Sequence, residues 1–138
     1  MSIKDFSFQF LNHNLKKLSF AVKEPKKITK EIPINPKIGM SWKIDEKKIL
    51  AILQTVDIEG ENLPFTLSVS IEGYFQLNGV TPTKEEITKI AFINCGAVMF
   101  PFVRETIASI TTRAGSAPLL LPSVNFINLY NVVKEASN

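Results

Sequence analysis

The chain has 138 residues, 45% of them hydrophobic and 21% charged, a balance that builds one folded domain and excludes a disordered chain. Its net charge is +3, and its single cysteine excludes an intrachain disulfide or a thiolate zinc cluster within one chain. The opening, MSIKDFSFQF, lacks an apolar core of signal-peptide length, and the apolar run around GAVMFPFV falls short of the roughly 20 residues that span a bilayer. One soluble, cytoplasmic domain over residues 1–138 is expected, without membrane insertion.

From Asp5 to Val22 the pattern is extended. Phe6, Phe8 and Phe10 alternate with polar residues, as do Leu18, Phe20 and Val22 with Ser19 and Ala21. The two sets share one parity, so they can face one core from one long strand or two short ones, with a bend or bulge at Asn12-His13-Asn14. EPKKITKEIPINPKIG, with Pro25, Pro33 and Pro36, reads as a long irregular connection. Ile38, Met40, Trp42 and Ile44 then line one face of a strand. Asp45-Glu46-Lys47-Lys48 is a turn or polar interruption before a strand from Ile49 to Glu59. Glu59-Gly60-Glu61-Asn62 is the next turn, and Phe65, Leu67, Val69 and Ile71 form a half-buried strand, with a bulge expected at Gly73.

The period then changes. Thr83 followed by Glu86 is a capping box, and Ile87, Ile90, Ala91 and Asn94 make a helical stripe. A break or kink is expected between Asn94 and Pro101, with Pro101 opening a helix that ends at Gly115. Val103, Ile107, Ile110 and Ala114 are expected on one face of that helix, and the small residues Ala108, Thr111 and Thr112 on another. An apolar loop around Leu119-Leu120-Leu121 leads to a last helix over Ser123 to Glu135. Strands first and helices afterwards make an α+β fold, an antiparallel sheet with helices packed on one face.

Charge is uneven along the chain. Residues 1–50 carry eleven lysines and five acidic residues, a net of +6, whereas residues 51–138 carry a net of −3. The basic half admits nucleic acid or an anionic partner, or simply solvated lysine faces. It contains no arginine, and Phe6, Phe8 and Phe10 share an interior parity, so no nucleic acid is expected as partner. No residue is assigned to catalysis or to a metal, and no cofactor is expected. There is no metal-ligand spacing and no phosphate loop, and the single histidine, His13, reads as structural or solvated. Cys95, without cationic neighbours, reads as a small buried hydrophobe.

One resemblance is specific. Phe100-Pro101-Phe102-Val103-Arg104-Glu105-Thr106-Ile107, Thr112-Arg113-Ala114-Gly115 and Leu121-Pro122-Ser123-Val124-Asn125-Phe126, preceded by Gly73-Tyr74-Phe75 and Gly79, resemble the bacterial protein-export chaperone family SecB. The likeness covers Phe65 to Tyr130; before that it extends only to strand pattern. It implies a four-stranded antiparallel sheet, a homotetramer built as a dimer of dimers, and an ATP-independent holdase for unfolded or preprotein polypeptides. The family's grooves are lined by the loop after the first strand, by sheet residues and by the last helix. Carried over, these are Ile28, Ile32 and Ile34, then Phe65, and then Leu120, Phe126, Leu129 and Tyr130, each with a plain alternative as a core residue. Ala108, Thr111 and Thr112 would meet partner subunits, because close helix approach wants small residues. Lys23, Lys26, Lys27 and Lys30 flank the loop and can attract acidic stretches of a client.

The sequence also departs from that family. The acids with which the family docks its export motor SecA fall at Lys17, Ala21 and Ser68, with Thr66 replacing an apolar contact, and the family's extended acidic tail is not expected after Glu135-Ala136-Ser137-Asn138. Docking to SecA is therefore expected to be weak or absent. A SecB-like chaperone dedicated to one partner, such as an antitoxin, is the alternative that the resemblance allows.

Overall fold

Alternation of apolar and polar side chains, clearest over Lys37–Ile44 and Phe65–Gly79, underlies four strands, each with one face fit for burial. In the computed structural model, which describes residues 5–23, 34–60, 63–115 and 117–136, these are β1 (Phe6–Val22), β2 (Lys37–Ile44), β3 (Ile49–Ile58) and β4 (Phe65–Gly79). They form one antiparallel sheet in the order β1-β4-β3-β2. The expected four-stranded α+β architecture is observed. Leu50, Ile52, Val56 and Ile58 of β3 and Leu67, Val69, Ile71, Phe75 and Leu77 of β4 are buried beneath the helices. Asp45 closes the β2–β3 turn, its Oδ1 accepting from the backbone N–H groups of Lys47 and Ile49, both at 2.9 Å. Lys48 completes that turn with φ 62°.

β1 is one strand of 17 residues, and its register shifts twice, between Phe10 and Asn12 and between Leu15 and Lys17. Each shift moves the alternation by one residue, so the pair restores it. Phe8 and Phe10, and again Leu18 and Phe20, therefore lie opposite core residues of β4 (Leu77, Phe75, Val69 and Leu67). Between the bulges the parity is reversed, which places His13 opposite Gly73 and Leu15 opposite Ile71. The bulge expected at Gly73 is absent, and β4 runs unbroken to Gly79. Gly73 instead makes room for Met99, whose Sδ would lie 2.9 Å from a Cβ at this position.

The helices are α1 (Lys84–Ile90), a π-helical turn over Ala91–Cys95, α2 (Gly96–Arg113) and α3 (Phe126–Ala136). The capping box forms as expected: Thr83 Oγ1 accepts from Glu86 N at 3.2 Å, and Glu86 Oε1 accepts from Thr83 N at 3.0 Å. Gly115 ends α2 with φ 86°. Pro101, however, does not open a helix. It sits inside α2, and the irregularity falls earlier, in the π turn. Pro101 and Ala97 are both exposed, so water can solvate the carbonyl that the missing proline N–H leaves free. The run Lys84–Arg113 is long and apolar enough by composition to cross a membrane, but its apolar stripe is Met99, Phe100, Val103 and Ile107, buried against the sheet.

Two further expectations about α2 need correction. Its buried stripe continues from Ile107 to Thr111, while Ile110 is half-buried and Ala114 exposed. The small-residue set is also split: Thr112 is exposed, Ala108 half-buried and Thr111 buried within its own chain. Thr111 Oγ1 donates to the Ile107 carbonyl at 2.9 Å and accepts from Leu119 N at 2.9 Å, pinning the loop after Gly115. Thr111→Val keeps the shape but leaves the Leu119 N–H without this acceptor. Urea unfolding of that variant should show a loss of about 1–2 kcal/mol; an unchanged midpoint would remove the hydroxyl from this role.

Candidate functional site

β2 lies at the edge of the sheet, so its helix-side row gains cover from β3 on one flank only. Ile38, Met40, Trp42 and Ile44 are accordingly half-buried, whereas Val56, Gln54, Ile52 and Leu50 opposite them are fully buried. Two contacts tie this row to the helices, and one ties the β3 row beside it. Trp42 Nε1 donates to Thr88 Oγ1 at 3.0 Å. Met40 and Phe126 converge on Gly96, where an added Cβ would lie 3.1 Å from Met40 Cε and 3.0 Å from Phe126 Cδ1. Gln54 Nε2 donates to the Gly96 carbonyl at 3.2 Å.

α3 closes the other side. Asn125 caps it, with Oδ1 accepting from Asn128 N at 3.0 Å. Phe126 packs edge-on against Phe100 at 5.6 Å and Tyr130 against Phe92 at 5.9 Å, anchoring the helix on α2 and the π turn. That leaves Ile127 and Val132 on the outside, 55% and 63% exposed, with Leu120 in the preceding loop 70% exposed. Apolar side chains are therefore half-buried on β2 and exposed on α3 and in the loop before it.

Elsewhere, a hollow of about 480 Å³ lies between β1 and α2, lined by His13, Leu18, Phe102, Glu105, Ile110 and Arg113. His13 stacks on Phe102 with ring centroids 4.0 Å apart. The sheet face away from the helices is polar. On it Tyr74 donates to Glu72 Oε1 at 2.6 Å, and Lys16 stands 3.7 Å from the same oxygen. The hydrogen bond with Tyr74, ahead of the attraction of Glu72, pushes the Lys16 pKa up. Lys17, Ala21, Thr66 and Ser68 also belong to this face, paired in register as Lys17 with Ser70, Ala21 with Thr66 and Ser19 with Ser68. Among the described residues no group of three His, Cys, Asp or Glu side chains converges as a metal site. Cys95 is buried, as expected, and burial pushes its thiol up to about 12.

The residues expected to line a groove do not all meet. Ile28 and Ile32 lie outside the described residues. Ile34 is half-buried against the core just before β2. Phe65 is half-buried at the start of β4, stacked on Phe20 at 5.5 Å and separated from β2 by β3. Leu120 is exposed and Leu129 half-buried, while Phe126 and Tyr130 are buried anchors. Met40 and Trp42, read from sequence only as an alternating strand face, are half-buried on the edge strand. Their signal was available: a short apolar row whose alternate positions include Lys37 and Lys43 is the mark of an edge strand.

Comparison with known proteins points to one family. The profile described as preprotein translocase subunit SecB matches residues 2–137. A protein-export protein SecB of Saccharophagus degradans is 36% identical over 83 residues, which cover 59% of this chain and 48% of that relative. The chain thus spans about half the length of that relative in the match. A SecB of Afipia carboxidovorans is 32% identical over 138 residues, covering 97% of this chain and 80% of that protein. Among solved structures, a SecB-like chaperone of Mycobacterium tuberculosis, determined in complex with a peptide from the HigA1 antitoxin, shares the fold. Its TM-score is 0.68 at 19% identity, over 85% of this chain and 90% of that one.

The thiol of Cys95 provides a direct check on the packing of the π turn over the sheet. Near neutral pH, iodoacetamide should alkylate the native chain at least ~10-fold more slowly than the chain in concentrated urea. Because folding raises this pKa from 9.0, the stability contributed by the neutral thiol is complete below about pH 9 and is lost as pH rises toward about 12. Equal alkylation rates in the native and unfolded states would contradict the burial.

Proposed function

The chain belongs to the SecB family, and from that premise we propose that it is a chaperone that holds unfolded polypeptides without ATP, in the cytoplasm. The observations that support this best are the half-buried apolar row of β2 and the exposed apolar residues of α3 and the Leu120 loop. Unfolded chains expose apolar segments and unpaired backbone groups, and those are what aggregate. A surface that holds many such chains needs adaptable apolar area on a stable scaffold. Met40 and Trp42 supply it on the sheet side, and Leu120, Ile127 and Val132 on the helix side. No cofactor enters this reading.

We also place in it a homotetramer in which the exposed side of α2, with Ala108 and Thr112, meets a partner subunit beside the hollow at His13 and Phe102. Thr111 is left out of that contact because its side chain is used inside the chain. Handover to SecA is not part of the proposal, since the positions that would carry acids are Lys17, Ala21 and Ser68.

The test is suppression of aggregation of a slowly refolding client, without ATP, at low and high salt. Leu120→Ser and Ile127→Ser, both at exposed positions, should each weaken the complex about 3- to 10-fold with little change in unfolding midpoint. Full protection by the double variant would refute the groove. For assembly, Ala108→Glu and Thr112→Glu should shift the mass measured by light scattering toward dimers or monomers, and an unchanged mass would place the interface elsewhere.

A further inference from the structure

We infer that the free edge of β2 takes up an extended polypeptide segment as an added strand, and that it favours segments in which apolar residues alternate with acidic ones. This inference rests on the chaperone reading and specifies how, and with what sequence preference, that surface is used. Among the described residues β2 pairs with β3 alone, over all eight of its positions. Its outer side therefore presents backbone N–H and C=O groups at every second residue, and no other strand among the described residues receives them. A segment that pairs there gains hydrogen bonds that do not depend on its side chains, which suits a binder of many sequences.

The two faces of β2 then set what the added strand should look like. On the helix side, alternate residues of the segment would extend the half-buried row Ile38, Met40, Trp42 and Ile44, so apolar side chains belong there. On the open side the row is Lys37, Gly39, Ser41 and Lys43, all exposed. Gly39 and Ser41 leave nothing tall between the two lysines, and a Cβ at Gly39 would meet no atom within 4 Å. Lys37 stands opposite Asp57 and makes a long, exposed ion pair with Glu59 at 3.9 Å; Lys43 stands opposite Ala51. The lysines are six residues apart, about 20 Å along the strand.

Charge also argues against a second copy of this chain as the occupant. An antiparallel two-fold pairing of β2 with itself about Met40 would set Lys37 opposite Lys43 at both ends. Like charges directly opposite on a sheet are destabilising. Carboxylates at the same spacing on a foreign strand would meet both lysines instead.

The experiment uses the full chain and a synthetic nine-residue peptide with valine at alternate positions, glutamates six residues apart on the other row, and serine elsewhere. Titration is followed by calorimetry and by the fluorescence of Trp42, the only tryptophan. Backbone N-methylation of one alternate set of residues should weaken binding at least ~10-fold, while methylation of the other set changes it by less than ~2-fold. The double variant Lys37→Glu, Lys43→Glu should reverse the preference, binding a lysine-bearing peptide above the glutamate one. Equal effects from the two methylation sets would overturn strand addition, as would failure of the peptide to bind a chain that still holds an unfolded client. Period-two binding by a chain that protects no client would uphold strand addition and sink the chaperone reading.

Discussion

The helical run from Lys84 to Arg113 can lie close on the sheet because β4 has no side chain at Gly73. Met99 fills that space, its sulfur closer than a Cβ would permit, and is fully buried. The same gap governs β1. His13, the residue opposite Gly73, stacks its ring on Phe102, one turn of α2 from the Met99 contact. One missing Cβ thus sets the depth at which α2 packs. That depth positions the π turn, and the π turn carries Gly96 to Met40 and Phe126. A glycine in mid-strand normally weakens a sheet; here the loss is offset by helix–sheet packing that nothing bulkier would allow.

Much of this was legible in the sequence, and the reasons differ by element. β2, β3 and β4 follow alternation because one face of each is buried, and the capping box at Thr83 and the terminator at Gly115 are local chemistry that tertiary packing did not override. β1 was legible only in part. Its two aromatic and aliphatic sets share a parity because two bulges cancel; the bulge expected at Asn12-His13-Asn14 falls beside the first of them, whereas the second, between Leu15 and Lys17, was not anticipated. Pro101 misled for a different reason. A proline usually marks a helix start, but on an exposed helix face the carbonyl it leaves free can be solvated, so the helix passes through. Thr111 misled because small polar residues on a helix look the same whether they face another subunit or satisfy a loop N–H.

The candidate surface was harder to read than the fold. Phe126 and Tyr130 were visible as aromatics at helical spacing, but spacing does not say which is anchor and which is exposed. Pairing with Phe100 and Phe92 makes both of them anchors, and the open positions pass to Ile127 and Val132. Met40 and Trp42 read only as one face of an alternating strand; alternation reports which face a residue occupies, and the edge was hinted at only by Lys37 and Lys43 on the other face. Edge position is a property of topology, and β2 acquires it from the order β1-β4-β3-β2.

The lysine-rich first half takes on a more specific meaning from that same topology. β1 and β2 are the two edges of the sheet, and between them they carry Lys16, Lys17, Lys37 and Lys43. Edge strands need protection from pairing with their own kind, and lysine supplies it by like-charge repulsion. Repulsion between copies does not close an edge to every strand, however. It leaves the backbone groups free for a chain of neutral or opposite charge, and it weakens as salt rises. Four of the eleven lysines behind the charge asymmetry thus have an architectural place: a sheet covered on one face, with both edges carrying cations and an apolar row beneath one of them.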